Sequence, residues 1–122
     1  MATDFHLHTL LSDGDVTPVE LLRLAASRGV KDLAITDHDT LGAYAWQDGA
    51  VFGEAERLGL TLTVGIEMDA DLDGMEVHLL GFGMDPTDAD LGKHLARVRE
   101  TRFERARLEI GIVNGLLGAE AI

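Results

Sequence analysis

Apolar positions recur along this chain in two rhythms. Short apolar-rich runs at Thr3 to Leu7, Asp32 to Ile35 and Leu60 to Glu67 read as strands, the third rich in β-branched residues. Longer stretches between them have helical spacing. Val19, Leu21, Leu22, Leu24, Ala25 and Ala26 form an apolar stripe behind Thr17-Pro18-Val19-Glu20, which supplies an N-cap, a proline at the first helical position and the glutamate of a capping box; Gly29 stops that helix. A second helix is predicted over Leu41 to Leu58, ending at Gly59. The third strand is predicted to continue to Asp71, turn at Asp73-Gly74 and return as Glu76 to Phe82, since Asp-Gly between apolar runs signals a hairpin. Thr87-Asp88-Ala89-Asp90 then caps a long helix to about Val113, with Asn114-Gly115 as its stop.

Strands alternating with helices predict an α/β protein with a parallel sheet. The order is that of a (β/α) barrel, with chemistry at the carboxyl ends of the strands. Closing a barrel takes ~200 residues or more, so three parallel strands and one hairpin amount to a portion of one. The expectation is a single domain over residues 1–122 that is a fragment of a longer protein or takes its missing strands from another chain. An exposed sheet edge follows, and with it an expectation of homo-oligomers, because partner chains often cover such edges.

Composition narrows the chemistry. No apolar run approaches ~18 residues and no basic patch precedes a hydrophobic stretch at the start, so neither a membrane span nor a signal peptide is expected, and the cytoplasm is the expected location. The absence of cysteine leaves imidazole and carboxylate as the strong metal ligands. Net charge is −12, with 18 acids against 4 bases in residues 1–90 and 4 against 6 in the remainder. This argues against nucleic-acid binding, which draws on cationic side chains. Bound divalent cations would let a polyanionic substrate approach the acidic part.

Three separate stretches carry the candidate ligands. His6 and His8, two apart on a strand, face the same side, and one cation could take both; a His-x-His pair is equally compatible with two surface histidines. Asp13, in Ser12-Asp13-Gly14, offers a hard oxygen on a loop that Gly14 lets turn sharply, and His38 follows another strand end within Thr36-Asp37-His38-Asp39. Asp37 and Asp39 are candidate ligands or orienters of a ligating imidazole, with helix capping as the competing role for Asp39. Glu67 ends the third strand, where a carboxylate could bridge two cations or simply be a strand-end acid. His78 lies among Val77, Leu79 and Leu80, company in which a histidine is commonly a core residue. His94 reads as a helix-surface residue. The arginines from 97 to 107 read mostly as a solvated face with Glu100, Glu104 and Glu109, and Arg99 or Arg102 could reach a substrate phosphate.

The strings DFHLHTLLSDGDVTP, AITDHDT, VGIEM and EVHLLGF resemble, in order and spacing, the PHP (polymerase and histidinol phosphatase) family of metal-dependent phosphoesterases, over nearly all of the chain. The resemblance implies the amino-terminal portion of a PHP-type distorted barrel holding two or three divalent ions, Mn, Zn, Fe or Mg. It implies that His6 and His8 bind one ion, Glu67 bridges it to a second held by His78, and Asp13 with His38 holds a third. The implied activity is hydrolysis of a phosphate ester, a nucleotide or other small phosphorylated metabolite, by a metal-activated hydroxide, with Glu67, Asp37 and Asp39 in the catalytic group and Arg99 and Arg102 toward substrate. The family completes its site with further histidines and an Asp-x-His motif that nothing after His94 supplies. An incomplete PHP module kept as a metal-binding or scaffold domain is therefore one alternative, and an amidohydrolase, which also opens on His-x-His, another.

Overall fold

A computed structural model describes residues 1–118. The chain runs β1 (Ala2–Leu7), α1 (Pro18–Ser27), β2 (Val30–Ile35), α2 (Gly42–Ala45), α3 (Ala50–Leu58), β3 (Thr61–Leu72), β4 (Met75–Phe82) and α4 (Ala89–Leu117). The four strands form one sheet in the order β1-β2-β3-β4. β1, β2 and β3 are parallel, and β4 returns antiparallel to β3. β1 and β4 stand at opposite ends of that order, yet the rings of Phe5 and Phe82 meet edge to face at 5.9 Å. The sheet is therefore curled. Two compact units are distinguished, Met1–Asp88 and Ala89–Ile122.

In the first unit the local signals act as their chemistry requires. Thr17 caps α1 with a complete capping box: its hydroxyl accepts from the Glu20 N–H while the Glu20 carboxylate accepts from the Thr17 N–H at 2.9 Å. Leu21, Leu22 and Ala25 of α1, Leu33, Ala34 and Ile35 of β2, Val51 and Ala55 of α3 and Ile66 of β3 make the core. At the hairpin Leu72 pairs with Met75 around Asp73 (φ 53°) and Gly74 (φ 82°). Both centres are left-handed, the two-residue turn that suits strand twist.

The helix expected over Leu41 to Leu58 is two helices. Gln47, Asp48 and Gly49 between them adopt left-handed φ of 47°, 56° and 78°. The apolar periodicity runs through both, but Asp-Gly tolerates left-handed backbone and breaks the helix there. Conversely, α4 passes through Asn114-Gly115, and the left-handed residue that follows it is Gly118 (φ 65°). A single helical glycine costs only about 1 kcal/mol and does not force a stop. Among the described residues no helix is long and apolar enough to cross a membrane.

Candidate metal centre

The carboxyl ends of β1 and β2 converge on the middle of β3, where Glu67 and Asp69 lie. Beyond β2 the ladder continues as a single parallel bridge between His38 and Glu67, whose backbones exchange Glu67 N–H to Asp37 C=O (3.2 Å) and Asp39 N–H to Glu67 C=O (2.8 Å). This seats the Thr-Asp-His-Asp loop beside the end of the β3 core. On β3, Glu67 and Asp69 are two apart and share a face, and the hairpin register sets His78 directly opposite Asp69.

Glu67 is at the centre, with 4% of its surface exposed. Its Oε2 lies 2.8 Å from His6 Nε2, 3.1 Å from His8 Nε2 and 3.7 Å from His38 Nε2, while Oε1 lies 2.9 Å from His78 Nδ1. The two oxygens thus face different imidazoles, the disposition a bridging carboxylate needs. Asp13 reaches in from its loop: Oδ1 is 3.2 Å from His8 Nδ1 and Oδ2 is 3.3 Å from His38 Nε2. The rings of His8 and His38 stack at 4.7 Å. All six expected ligand residues, His6, His8, Asp13, His38, Glu67 and His78, are brought together.

The charges respond to one another. Burial pushes Glu67 up, but the hydrogen bond from His6 and the neighbouring imidazoles of His38, His6 and His8 outweigh it, and its carboxyl is held below the usual range. Burial likewise depresses His38, and the hydrogen bond to Asp69 with the charges of Glu67, Asp69 and Asp13 reverses the sign, leaving His38 raised.

The donor set fits divalent cations. Three groups of donors each gather within 4.8 Å: His38, Glu67, Asp69 and His78; His6, His8 and Glu67; His8, Asp13 and His38. His8 Nδ1 is buried and makes no hydrogen bond, although Asp13 Oδ1 stands 3.2 Å away, so the two are close without the alignment of a donor and acceptor. Imidazoles and carboxylates crowded in this way suit a divalent metal ion. The groups are not independent sites, because each imidazole has a single lone pair and His8, His38 and Glu67 each belong to two groups.

Asp37 has a different task from orienting an imidazole. It is 1% exposed and accepts from the Thr9 N–H (2.7 Å), the Thr9 hydroxyl (2.6 Å) and the Ser12 hydroxyl (2.7 Å). Those three bonds fix the loop that presents Asp13. Gly14 completes the turn, for a Cβ there would stand 2.5 Å from the His8 carbonyl oxygen. Asp39 accepts from the Asp69 N–H at 3.3 Å. Asp69, which sequence reasoning missed, is the carboxylate beside both His38 and His78, at 3.1 and 2.9 Å. Its signal was present, since two residues beyond Glu67 on a strand means the same face. Arg99 and Arg102 are exposed residues of α4, in the second unit, as is His94.

Comparison with known proteins agrees with this layout: the PHP domain model matches residues 4–108. The chain belongs to the PHP domain family. A 3',5'-nucleoside bisphosphate phosphatase of Chromobacterium violaceum is 39% identical over 104 residues, covering 85% of this chain and 35% of that protein. The solved structure of an amidohydrolase from the same organism, with bound sulfate and no metal, matches with a TM-score of 0.82 at 34% identity, covering 95% of this chain and 39% of the other. An inferred metal-dependent phosphoesterase of Bifidobacterium adolescentis matches with a TM-score of 0.80 at 31% identity, covering 93% and 38%. This PHP chain thus spans a little over a third of the length of these three relatives.

Proposed function

We propose that this PHP chain contributes to a metal-dependent phosphoesterase that hydrolyses a phosphate ester of a nucleotide or other small phosphorylated metabolite. The observation that carries the reading is a nearly buried carboxylate, Glu67, with four imidazoles from three chain segments around its two oxygens. Divalent cations held there would lower the pKa of a bound water, polarise phosphoryl oxygens and stabilise the leaving oxygen. Glu67 would be the carboxylate held in common by such ions, with His6 and His8 as donors beside its Oε2, His78 beside its Oε1, and His38 and Asp13 beyond His8. Asp37 keeps Asp13 in reach by holding Thr9 and Ser12. The nucleotide preference is supported by the Chromobacterium violaceum phosphatase, and the acidity of the first unit makes cations the means by which an anionic substrate is tolerated.

The test is to load the chain with Mn²⁺ or Zn²⁺ and offer nucleoside mono- and bisphosphates, a generic phosphodiester and an amide substrate, following phosphate and ammonia release. Phosphate release that chelators abolish and His8→Ala removes is expected. Chelator-insensitive turnover, undiminished activity in His8→Ala, or ammonia as the product would overturn the reading.

A further inference from the structure

We infer that Asp69 is a positioning residue for His38: it accepts a hydrogen bond from the Nδ1–H of that ring and so turns the Nε2 lone pair toward Asp13 and Glu67. The inference rests on the reading of the cluster as a cation site. A neutral imidazole carries one N–H and one lone pair, and the partner of one nitrogen decides the chemistry of the other. In His38 the two nitrogens have different surroundings. Nδ1 is hydrogen-bonded to Asp69 Oδ1 at 3.1 Å. Nε2 faces Asp13 Oδ2 at 3.3 Å and Glu67 Oε2 at 3.7 Å, oxygens that can accept a metal but cannot donate to a bare nitrogen. An N–H on Nδ1 therefore satisfies Asp69 and leaves the lone pair of Nε2 inside the donor group formed with His8 and Asp13. Carboxylates placed in this way fix the tautomer and ring orientation of metal-ligating histidines and raise their basicity.

Asp69 is itself held. Its N–H donates to Asp39 Oδ1 at 3.3 Å, and Asp39, 1% exposed and left-handed at φ 50°, donates its own N–H to the Glu67 carbonyl at 2.8 Å. Asp39, Asp69 and His38 thus form a relay of position from the β2–α2 loop to β3 and back. The hairpin adds a further constraint, because His78 is paired with Asp69 and brings its Nδ1 to 2.9 Å from the same oxygen. One carboxylate oxygen thus lies beside a ring on each side of the cluster, and its position is fixed by backbone on either hand.

A ligand and a positioning acceptor respond differently to amide substitution. Asn keeps an oxygen that accepts from Nδ1–H but loses the charge that makes a carboxylate a strong metal ligand, whereas Ala removes the acceptor. The experiment uses the 122-residue chain and its Asp69→Asn and Asp69→Ala variants. Long-range proton–nitrogen spectra of metal-free protein, at alkaline pH where the imidazoles are neutral, report the His38 tautomer, with its signals assigned by their loss in His38→Gln. Calorimetric titration with Mn²⁺ reports affinity. The expected result is Nδ1 protonation in the parent and in Asp69→Asn, a shift toward Nε2 protonation in Asp69→Ala, and an affinity loss of about 10–100-fold in Asp69→Ala only. Equal affinity loss in both variants with the tautomer intact would make Asp69 a ligand and overturn the inference. So would an unchanged tautomer and affinity in Asp69→Ala. Should Asp69→Ala fail to fold, Asp69→Val removes the same acceptor with a strand-favouring side chain. If the parent takes up no Mn²⁺ the proposed function fails, while the tautomer comparison still decides the role of Asp69.

Discussion

Single side chains do much of the organising in this site, and Tyr44 shows how. Its hydroxyl accepts from the N–H of Gly65 (2.9 Å) and of Ile35 (3.2 Å) and lies 2.7 Å from the Ile35 carbonyl, to which it donates. It thereby ties α2 to β2 and β3 just before each strand delivers its chemistry, at His38 and Glu67. Burial is the largest influence on its pKa, which is pushed up to about 12 from 10.0. A group whose protonated form is favoured by folding contributes its stability in full below its ordinary pKa and loses it as pH rises through the folded value. Two units correspond to about 3 kcal/mol, so stability is expected to fall between pH 10 and about 12. Tyr44 is the chain's one tyrosine, which makes the phenolate absorbance unambiguous. That absorbance is expected to rise only together with loss of the circular dichroism signal. Tyr44→Phe should remove the effect and cost about 1–3 kcal/mol in urea unfolding through the donors left unpaired. A phenolate appearing near pH 10 with the fold intact would refute the account. Residue identity was the most legible level of this sequence for the cluster, since His6, His8, Asp13, His38, Glu67 and His78 come together in space. It was least legible for supports. The three hydrogen bonds accepted by Asp37 join residues 25 to 28 positions apart, a relation that no local pattern encodes.

Elements were legible where local chemistry is decisive, as in the Thr17 capping box and the Asp73-Gly74 turn. They were illegible where a local signal permits two backbones, as at Gln47 to Gly49, where the helix breaks, and at Asn114-Gly115, where it continues. Gly65 belongs to a third kind, a residue whose purpose appears only when two elements are laid side by side. A Cβ there would stand 2.9 Å from Thr36 Cγ2, 3.2 Å from Ala34 Cβ and 3.2 Å from the Ile35 carbonyl oxygen. The close approach of β3 to β2 therefore depends on glycine two residues before Glu67, and any widening would carry Glu67 away from His6 and His8. Gly65→Ala is expected to destabilise the chain by about 1–3 kcal/mol, the usual range for overpacking. Thr36→Ser in the same chain deletes the nearest clashing methyl while keeping the hydroxyl that bonds the Leu7 carbonyl. The double variant should regain part of the loss in denaturant unfolding. Strict additivity of the two changes would show that the contact with Thr36 does not set the strand spacing.

At the scale of the whole molecule the dominant fact is charge. The first unit, Met1–Asp88, contains 17 acidic side chains and 4 basic ones. Self-repulsion on that scale opposes compaction, and Asp13, Glu67 and Asp69 concentrate it at the strand ends. Imidazoles relieve this only while they are protonated. A cation that binds the folded cluster and not the unfolded chain would relieve it at neutral pH, and by linkage would stabilise the fold by about 2.7 kcal/mol at a hundred times its dissociation constant. The melting temperature is therefore expected to rise with added Mn²⁺ or Zn²⁺, to return to its starting value on chelation, and to lose its dependence on the ion in a His6→Ala, His8→Ala double variant. Binding requires neutral imidazoles, and the carboxylates around His38 hold it above its ordinary value, so the stabilisation should grow as pH rises through neutrality. Monovalent salt at matched ionic strength screens charge without occupying the cluster and separates general repulsion from binding. If it raised the melting temperature as much as the divalent ions did, the converging side chains would be an acidic surface feature and the cation site would be lost as an explanation.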